Sequence, residues 1–529
     1  MASDEHEVPR QSQQTLRARS AANGPGVSRR GFLGGLAGAA TGGVTLASMA
    51  QPSAAQVEPV PGKPLPTGSP LRVKPILTYL LLERREKTSW RKYGDLHSRE
   101  AVDREANRLK KDLADLASKS DFPMEILPLA LVDNAAKGKA AAAGDCDAIV
   151  MFGGGGYWSD VPHAIASAGK PTIMFLRHRT EPNYCQHVTA HIVFMRHWTD
   201  ERVEPNMDYD DIVVDEYEEI LWRLRALYGL KNAKGTKMLA IGGLQHYSPV
   251  GSKHAPQHAQ DVWGYRIETI SSADFAKRLA EARANGGVME EAERRAKDLL
   301  AQPNVTLQTE RKFVVNSFLA LRVCKDLMEE TGATNFGFAG CMGRPVIEML
   351  DTPPCLILAL ANDEGYTAYC HADLTHTLPG VLLRWIAGKP TFVCNSHFPH
   401  DGIYTVAHCA APRKMNGEDY EPTTIMTHFE SDYGAATKVE YRRGQIVTVV
   451  IPALNCSKWQ GFRGKILDAP SRSACRSQMD VEIDGNWRKL VTDQVGFHVQ
   501  VVYGDYLREV GYALKKLGKI EWQNFSENT

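Results

Sequence analysis

The sequence predicts an α/β protein with two Rossmann-like parallel-sheet domains followed by an antiparallel β module. Between residues 75 and 345 short apolar runs alternate with amphipathic helices, and strands that alternate with helices usually pair in parallel. From about Met426 the pattern changes to alternating or β-branched runs, separated by turns at Arg443-Gly444 and Asp484-Gly485-Asn486. A final helix is predicted over residues 506–517.

The composition excludes nucleic-acid binding as a function. Lys plus Arg and Asp plus Glu number 62 each, so the chain offers no basic field. Its hydrophobic content of 43% and charged content of 23% are those of a globular protein. After residue 60 no apolar run reaches the length of about 18 residues that a membrane span needs. The ten cysteines are scattered without C-x-x-C pairs, and we expect reduced thiols.

The first 55 residues have the pattern of an export signal. Ser28–Leu33 contains the pair Arg29-Arg30, the weakly apolar run Gly34–Ala50 follows, and Ser53–Ala55 supplies small residues for cleavage. This pattern resembles a twin-arginine signal peptide, which is a receptor-read address and not part of the fold. It implies the twin-arginine translocase as a partner and an exported, periplasmic protein. The Pro/Gly-rich residues 56–71 are predicted to be a linker.

The N-terminal α/β domain is predicted over residues 72–235. Its third strand, 148–152, ends in Gly153–Gly156, followed by Tyr157 and Trp158. Ligands bind at this end of parallel strands, and glycines allow the backbone to approach them closely. The stretch lacks the G-x-G-x-x-G spacing, so no dinucleotide site is predicted. Trp158, and Arg177 at the tip of the next strand, are candidate substrate-binding residues. The predicted strands are 75–82, 124–129, 148–152 and 171–176, and the helices are 99–117, 134–143, 161–168 and 211–227.

The second α/β domain is predicted over residues 236–345 and the third domain over 346–529. In the second domain the pattern predicts strands at 237–243, 265–270 and 335–339, and helices at 273–283, 290–300 and 314–331. In the third domain it predicts strands at 438–441, 445–451, 479–483, 488–491 and 497–505.

The stretch Tyr369–Pro412 carries the residues best suited to chemistry. His371 and Asp373, then Asn395, then His408 follow or end short apolar runs. Sites are usually built on such loops at strand ends. The alternative is a core strand, a helix and a second strand with incidental histidines.

Three motifs resemble the L-fucose isomerase and L-arabinose isomerase superfamily, over roughly residues 72–522. They are Phe497–Leu507, with a His before an apolar strand and Tyr-Gly-Asp; Cys370–Asp373 before an apolar helix and Gly388-Lys389-Pro390; and Ala407–Cys409. The resemblance implies a third domain containing an antiparallel β-barrel. It also implies a divalent metal, usually Mn²⁺, and proton transfer between C1 and C2 of a sugar through an enediol. A closed homo-oligomer, trimer or hexamer, is expected.

The chain departs from that family at its two metal-binding carboxylates, which His371 and Asn395 replace. The resemblance then implies His371, His408 and His498 as metal ligands. Imidazoles shift the preference from Mn²⁺ toward Zn²⁺, Fe²⁺, Ni²⁺ or Cu²⁺.

His371 and Asp373 are the candidate acid–base groups of this site, and Asn395 is a candidate catalytic and substrate-binding residue. Asp373 has an alternative role as the N-cap of the following helix. His376, His397 and His400 are expected to be hydrogen-bonded or solvated loop histidines.

Two functions follow from these residues. The first is a divergent metal-dependent aldose–ketose isomerase acting on a sugar or polyol. The second is an exported, non-catalytic sugar-binding protein on the same fold, which has lost both carboxylates. A stoichiometric transition metal would favour the enzyme.

Replacing both Arg29 and Arg30 by Lys is expected to abolish export and leave folding intact, because the translocase reads the arginine pair. The measurement is the share of protein in the periplasmic fraction. The double variant Arg17→Lys/Arg19→Lys, outside the motif, is the matched control and should be exported normally. Normal export of the Arg29/Arg30 variant would contradict the assignment.

Overall fold

A computed structural model describes residues 60–156, 160–204 and 206–526. The chain from Gln56 onward forms one compact unit. The predicted signal peptide, the first residues of the linker, and Trp158 lie outside the described residues. Within the described ranges, no helix combines the length and the apolar character that crossing a membrane requires.

The first part of the chain forms a parallel sheet that is buried on both faces. The strand at residues 71–78 pairs in parallel with the strands at 124–126, 130–132 and 148–152. From 148–152 the sheet continues to 172–176 and then to 212–214. Val73 and Leu77 pack into one apolar cluster and Ile76 into another, as both faces of a doubly covered sheet require. The elements are β1 (Val60–Pro61), β2 (Leu71–Thr78), α1 (Arg99–Ser118), β3 (Met124–Ile126), β4 (Ala130–Val132), α2 (Ala135–Ala143), β5 (Ala148–Phe152), α3 (Val161–Ala166), β6 (Thr172–Leu176), α4 (Cys185–Thr189), β7 (Ile212–Val214) and α5 (Tyr217–Ala233).

A second parallel sheet follows, in which the strands at residues 367–370, 335–338, 237–241 and 266–270 lie in that order. It extends past residue 345, because its edge strand β12 comes from residues 367–370. The elements are β8 (Lys237–Ile241), α6 (Pro249–Trp263), β9 (Arg266–Ile270), α7 (Ser272–Ala284), α8 (Gly286–Leu300), β10 (Val305–Leu307), α9 (Arg311–Thr331), β11 (Asn335–Phe338), α10 (Arg344–Leu350), α11 (Cys355–Asp363) and β12 (Thr367–Cys370).

The last part of the chain contains a closed antiparallel barrel of six strands. Around the barrel, the strands at residues 446–452, 498–503, 392–396, 403–408, 477–484 and 458–468 pair in that order, and the last of them pairs with the first. The inner core includes Cys394, Val406, Phe462, Met479 and Val499. The elements are α12 (Leu374–Ala387), β13 (Phe392–Ser396), β14 (Ile403–His408), β15 (Asp419–Tyr420), β16 (Thr423–Met426), β17 (Ala436–Val439), β18 (Ile446–Pro452), β19 (Lys458–Asp468), β20 (Ser477–Asp484), α13 (Trp487–Asp493), β21 (His498–Tyr503), α14 (Leu507–Leu517) and β22 (Glu521–Asn524).

The predicted fold class is therefore confirmed: two parallel sheets precede an antiparallel barrel. Two small sheets join the parts, since β1 pairs with β15 and β10 pairs with β16.

The predicted strand at 488–491 was wrong, because these residues belong to helix α13. Asn486 caps this helix by accepting a hydrogen bond from the backbone N–H of Lys489. Only Leu490 of the helix is buried. Four residues with one buried position do not distinguish a period of two from a period of 3.6.

Helices α5 and α12 pack closely through a glycine. A methyl group on Gly229 would lie 2.3 Å from Ile386 Cγ1 and 3.0 Å from the backbone nitrogen of Ile386. Gly229 thus sets how near α5 lies to the helix that carries His376.

Gly229→Ala is expected to destabilise the protein by about 1–3 kcal/mol, because the added methyl group overpacks this contact. The measurement is the free energy of unfolding in urea. Gly287→Ala is the matched control, since a methyl group there has only Asn285 Oδ1, at 3.6 Å, as a neighbour in the described structure. The control should be neutral or slightly stabilising, as Ala favours helix over Gly. Equal stability of both variants would contradict the packing argument.

Candidate active site

The candidate site lies at the carboxyl end of the second parallel sheet, where the barrel meets it. Strands β8, β11 and β12 end there, and the chain after them carries Gln245–Tyr247, Cys341 and His371–Asp373. Barrel strands β13 and β21 add Asn395 and His498, which are paired neighbours. This is the edge at which open α/β sheets bind ligands.

A sharp turn after β12 presents the first site residue. His371 and Ala372 both adopt left-handed backbone, with φ of 65° and 53°. Non-glycine residues seldom do so, and such strain clusters at functional sites. The turn also depends on Gly337 in β11, because a methyl group there would lie 2.7 Å from Ala372 Cα.

Asp373 caps helix α12, so its expected alternative role is confirmed. Its carboxylate accepts hydrogen bonds from the backbone N–H groups of Thr375, at 2.8 Å, and Tyr247, at 3.2 Å. His246 Nε2 lies 3.8 Å from the same carboxylate. Asp373 is buried, and one of its oxygens lies within 4.8 Å of ring nitrogens of His376 and His498.

His376 is a fully buried helix residue, so its prediction as a loop histidine was wrong. Its Nε2 lies 3.0 Å from the carbonyl oxygen of Cys370. A carbonyl oxygen only accepts, so Nε2 carries the proton and Nδ1 has a bare lone pair. Nδ1 is buried and has no hydrogen-bond partner among the described residues.

His371 also has an unprotonated nitrogen, and its neighbours show which one. The backbone N–H of Gly340 donates to Gln245 Oε1, which identifies that atom as the amide oxygen. His371 Nδ1 lies 3.3 Å from the same oxygen and must therefore donate to it. Nε2 is left bare, buried and without a hydrogen-bond partner in the described part of the chain.

A thiol pair lies beside His371. Cys341 Sγ and Cys370 Sγ are 2.9 Å apart, and both lie within 4.8 Å of a His371 ring nitrogen. A hydrogen bond from Cys370, opposed by burial and helped by His371, lowers the pKa of Cys341 to about 5. The ten cysteines all lie within the described residues, and no disulfide joins them there.

Tyr247 links the histidines that the sequence placed far apart. Its ring centroid lies 4.5 Å from that of His371 and 4.3 Å from that of His498. The rings of His376 and His498 are 5.1 Å apart. Two predicted metal ligands, His371 and His498, therefore flank one tyrosine ring.

His408, the third predicted ligand, belongs to none of the three groups of possible ligand atoms found in the described structure. Its Nδ1 accepts a hydrogen bond of 3.1 Å from the backbone N–H of Ala410, so in the neutral ring Nε2 carries the proton. Burial, together with the nearby imidazoles of His376 and His371, lowers the pKa of His408 to about 3. The ring is thus neutral, and it offers a proton rather than a lone pair.

Asn395 faces the same side of the sheet as His498, because paired residues of neighbouring strands share a face. Its Oδ1 is buried without a hydrogen-bond donor in the described ranges. Its Nδ2 lies 3.9 Å from Cys475 Sγ. An acceptor left in this state is costly in a folded protein unless something donates to it.

Arg177 lies elsewhere, buried in the first α/β domain. Its guanidinium is 3.0 Å from Glu105 and 2.9 Å from the Tyr217 hydroxyl, and it also contacts Asp112 and Thr180. These partners belong to the fold of that domain, so the structure does not bring Arg177 to the histidines.

Sequence reasoning missed Gln245, His246, Tyr247, Cys341 and the role of His376. The first four follow strands that the pattern did predict, at 237–243 and 335–339. Applying the rule that sites lie at the carboxyl ends of parallel strands to every strand would have found them.

Two partly exposed aromatic side chains mark where the site meets the solvent. Tyr247 is 42% exposed and Phe497 38% exposed, and their rings are 5.4 Å apart. Phe497 also packs on His498, at 4.1 Å between ring centroids. The mouth is thus aromatic, while the interior carries a few polar atoms, an arrangement common in small-molecule sites.

No protein-family model and no curated protein matches the chain. Among solved structures, a carbohydrate transporter from Acidothermus cellulolyticus 11B in complex with myo-inositol matches with 10% identity and a TM-score of 0.14. The match covers 61% of this chain and 89% of the transporter. At that TM-score the likeness carries no argument about fold or function.

The metal-free protein is expected to lose stability as the pH falls below about 6.5, the ordinary histidine pKa. Burial, helped by neighbouring imidazoles, lowers the pKa of His408 to about 3 and that of His498 well below its usual range. The unfolded chain therefore takes up protons first, at up to about 1.4 kcal/mol per pH unit for each histidine.

The measurement is the free energy of unfolding in urea, in the presence of a chelator, at several pH values between about 7 and 4. The slope of this free energy against pH is the quantity to compare. His408→Gln should reduce it, whereas the exposed His254→Gln should leave it unchanged. An unchanged slope in His408→Gln would show that this imidazole is not held neutral.

Proposed function

We propose that the protein is a metal-dependent enzyme of the sugar isomerase type. Asp373, His376 and His498 hold a divalent metal, and His371 moves the proton. The observation that carries the proposal is the pair of bare, buried imidazole nitrogens, His376 Nδ1 and His371 Nε2, at one sheet edge. A buried nitrogen lone pair that accepts no hydrogen bond has lost its hydration. This loss destabilises the fold unless a cation or a proton binds to the lone pair.

The residues around His376 suit a metal. Metal-bound histidines usually donate their second ring N–H to a carbonyl or carboxylate, as His376 does to Cys370. Two imidazoles and one carboxylate bind Zn²⁺, Fe²⁺ or Ni²⁺, and they also admit the Mn²⁺ that the family resemblance implies. When bound, such an ion supplies a Lewis acid for a carbonyl or hydroxyl oxygen.

His371 is suited to act as the base. The hydrogen bonds from Gly340 N–H to Gln245 and from His371 to Gln245 hold the proton of the ring on Nδ1, so Nε2 is left unprotonated. A base placed within reach of a carbon-bound proton next to a carbonyl accelerates its removal by about 10²–10⁴-fold. Return of that proton to the neighbouring carbon, together with passage of the hydroxyl proton from one oxygen to the other, completes an aldose–ketose exchange through an enediol.

The remaining groups support a sugar or polyol as the substrate. Asn395 Oδ1 accepts a hydrogen bond from a substrate hydroxyl, which supplies the donor that it lacks in the described structure. Tyr247 and Phe497 at the mouth offer flat apolar faces to the C–H side of a sugar ring. The resemblance of Phe497–Leu507 to the isomerase motif points to the same substrate class.

A non-catalytic sugar-binding protein is the second candidate. One observation favours it: Asp373, the carboxylate of the proposed metal site, is already hydrogen-bonded by two backbone N–H groups. Such bonds stabilise the charged form and weaken it as a base. Catalysis then depends on His371 alone.

Asp373→Asn and His376→Gln are each expected to lower bound metal at least tenfold, because each removes one ligand. Metal per chain, measured by plasma mass spectrometry after dialysis, is the readout. Asn caps helices as well as Asp does and can keep the hydrogen bond from Thr375, but its NH₂ group cannot accept from Tyr247, so Asp373→Asn should fold with a modestly lower melting temperature. His254→Gln, on an exposed helix face, is the control. Full metal content in both site variants would overturn the ligand assignment.

His371→Gln should keep the metal and lose catalysis. The assay is exchange of the C2 hydrogen of aldoses and ketoses in D₂O, with an expected loss of about 10²–10⁴-fold. If the wild-type protein binds metal and sugar but exchanges no hydrogen, the sugar-binding function replaces the enzyme.

A further inference from the structure

A third group of possible ligand atoms lies in the first α/β domain. It consists of His163 on α3, and His197 and Glu204 on the segment that follows α4. One nitrogen or oxygen from each lies within 4.8 Å of the others. The isomerase resemblance assigns nothing to these residues.

The distances among these atoms are close to those between the ligands of a shared ion. His163 Nδ1 lies 2.9 Å from Glu204 Oε2, and His197 Nε2 lies 3.6 Å from the same oxygen. The second distance is too long for a hydrogen bond. Ligands about 2.0–2.1 Å from a tetrahedral Zn²⁺ are separated by roughly 3.3 Å, and the two distances bracket this value.

The backbone is bent to bring His197 into place. His197 and Trp198 both have left-handed φ, 48° and 63°. The backbone N–H groups of Val203 and Glu204 both donate to the Met195 carbonyl, which closes the loop and returns Glu204 to the histidines. Consecutive left-handed residues other than glycine persist where the surroundings hold them.

The charge of Glu204 also calls for a cation. Its side chain is 5% exposed, and the partners that the structure gives its carboxylate are the two imidazoles. A buried carboxylate is costly unless it is paired or coordinates a metal. The side chains of His163 and His197 are 20% and 44% exposed, so the site is open on one side to ions and water.

We propose that His163, His197 and Glu204 form a second metal site that binds Zn²⁺ or a similar transition ion. Two imidazoles and one glutamate are a common zinc set, and the open side leaves a position for water. The ion joins the loop 195–204 to helix α3. This site is independent of the proposed isomerase function.

The test is zinc titration of the chelator-treated full chain by calorimetry. The unmodified protein is expected to bind one more equivalent of zinc than the variant His197→Gln. This difference does not depend on whether the central site also binds zinc, because that site is the same in both proteins. Repeating the comparison in the Asp373→Asn background separates the two sites, because only the central one changes there. Equal zinc stoichiometry in His197→Gln and its parent would overturn the proposal.

Two further variants guard against loss of folding. His191→Gln, exposed on the same segment, is the matched control and should bind as the parent does. Glu204→Gln should also lose one equivalent, with circular dichroism reporting its fold. Zinc should slow proteolytic cleavage of the loop 195–204 in the parent and not in His197→Gln; equal cleavage with and without zinc in the parent would contradict the role given to the ion.

Discussion

The candidate site depends on how closely Ala372 approaches Gly337. The absent side chain at Gly337 lets the chain turn sharply where β12 ends, with two residues in left-handed backbone. That turn presents His371 and, through Asp373, starts α12 at once. His376 then lies in the first turn of that helix, with its Nε2 hydrogen-bonded to the carbonyl oxygen of Cys370. A side chain larger than hydrogen at Gly337 would displace the whole set, because the turn has no room to relax.

Backbone groups decide the protonation of His376 and His408 directly, and that of His371 through the side chain of Gln245. The carbonyl of Cys370 fixes the proton of His376, the N–H of Ala410 fixes that of His408, and the N–H of Gly340 orients the amide that fixes His371. Backbone donors and acceptors cannot exchange roles, whereas hydroxyl groups can rotate. Each tautomer is therefore set by the fold itself, before any ligand arrives.

The sequence was sufficient for the fold class because strand and helix periods are local signals. It also located His371 and His498 correctly at strand ends. It did not show that His376 is buried, because the burial of a helix face depends on which other elements pack against it. Here the barrel packs against α12, and Gln500 Nε2 from the barrel donates a hydrogen bond to the His376 carbonyl. Nor did it show that the backbone N–H of Ala410 donates a hydrogen bond to Nδ1 of His408, because such a bond between near neighbours depends on the conformation of the turn between them.

The barrel strand that carries His498 follows, in the sequence, the strands and turns that carry the other residues of the site. It pairs with β13 on one side and β18 on the other, so it is a closing strand of the barrel. During synthesis the other site residues therefore leave the ribosome before His498 can join them. The proposed central ligands, Asp373, His376 and His498, come together only when β21 has closed the barrel, so metal binding there would report a closed barrel.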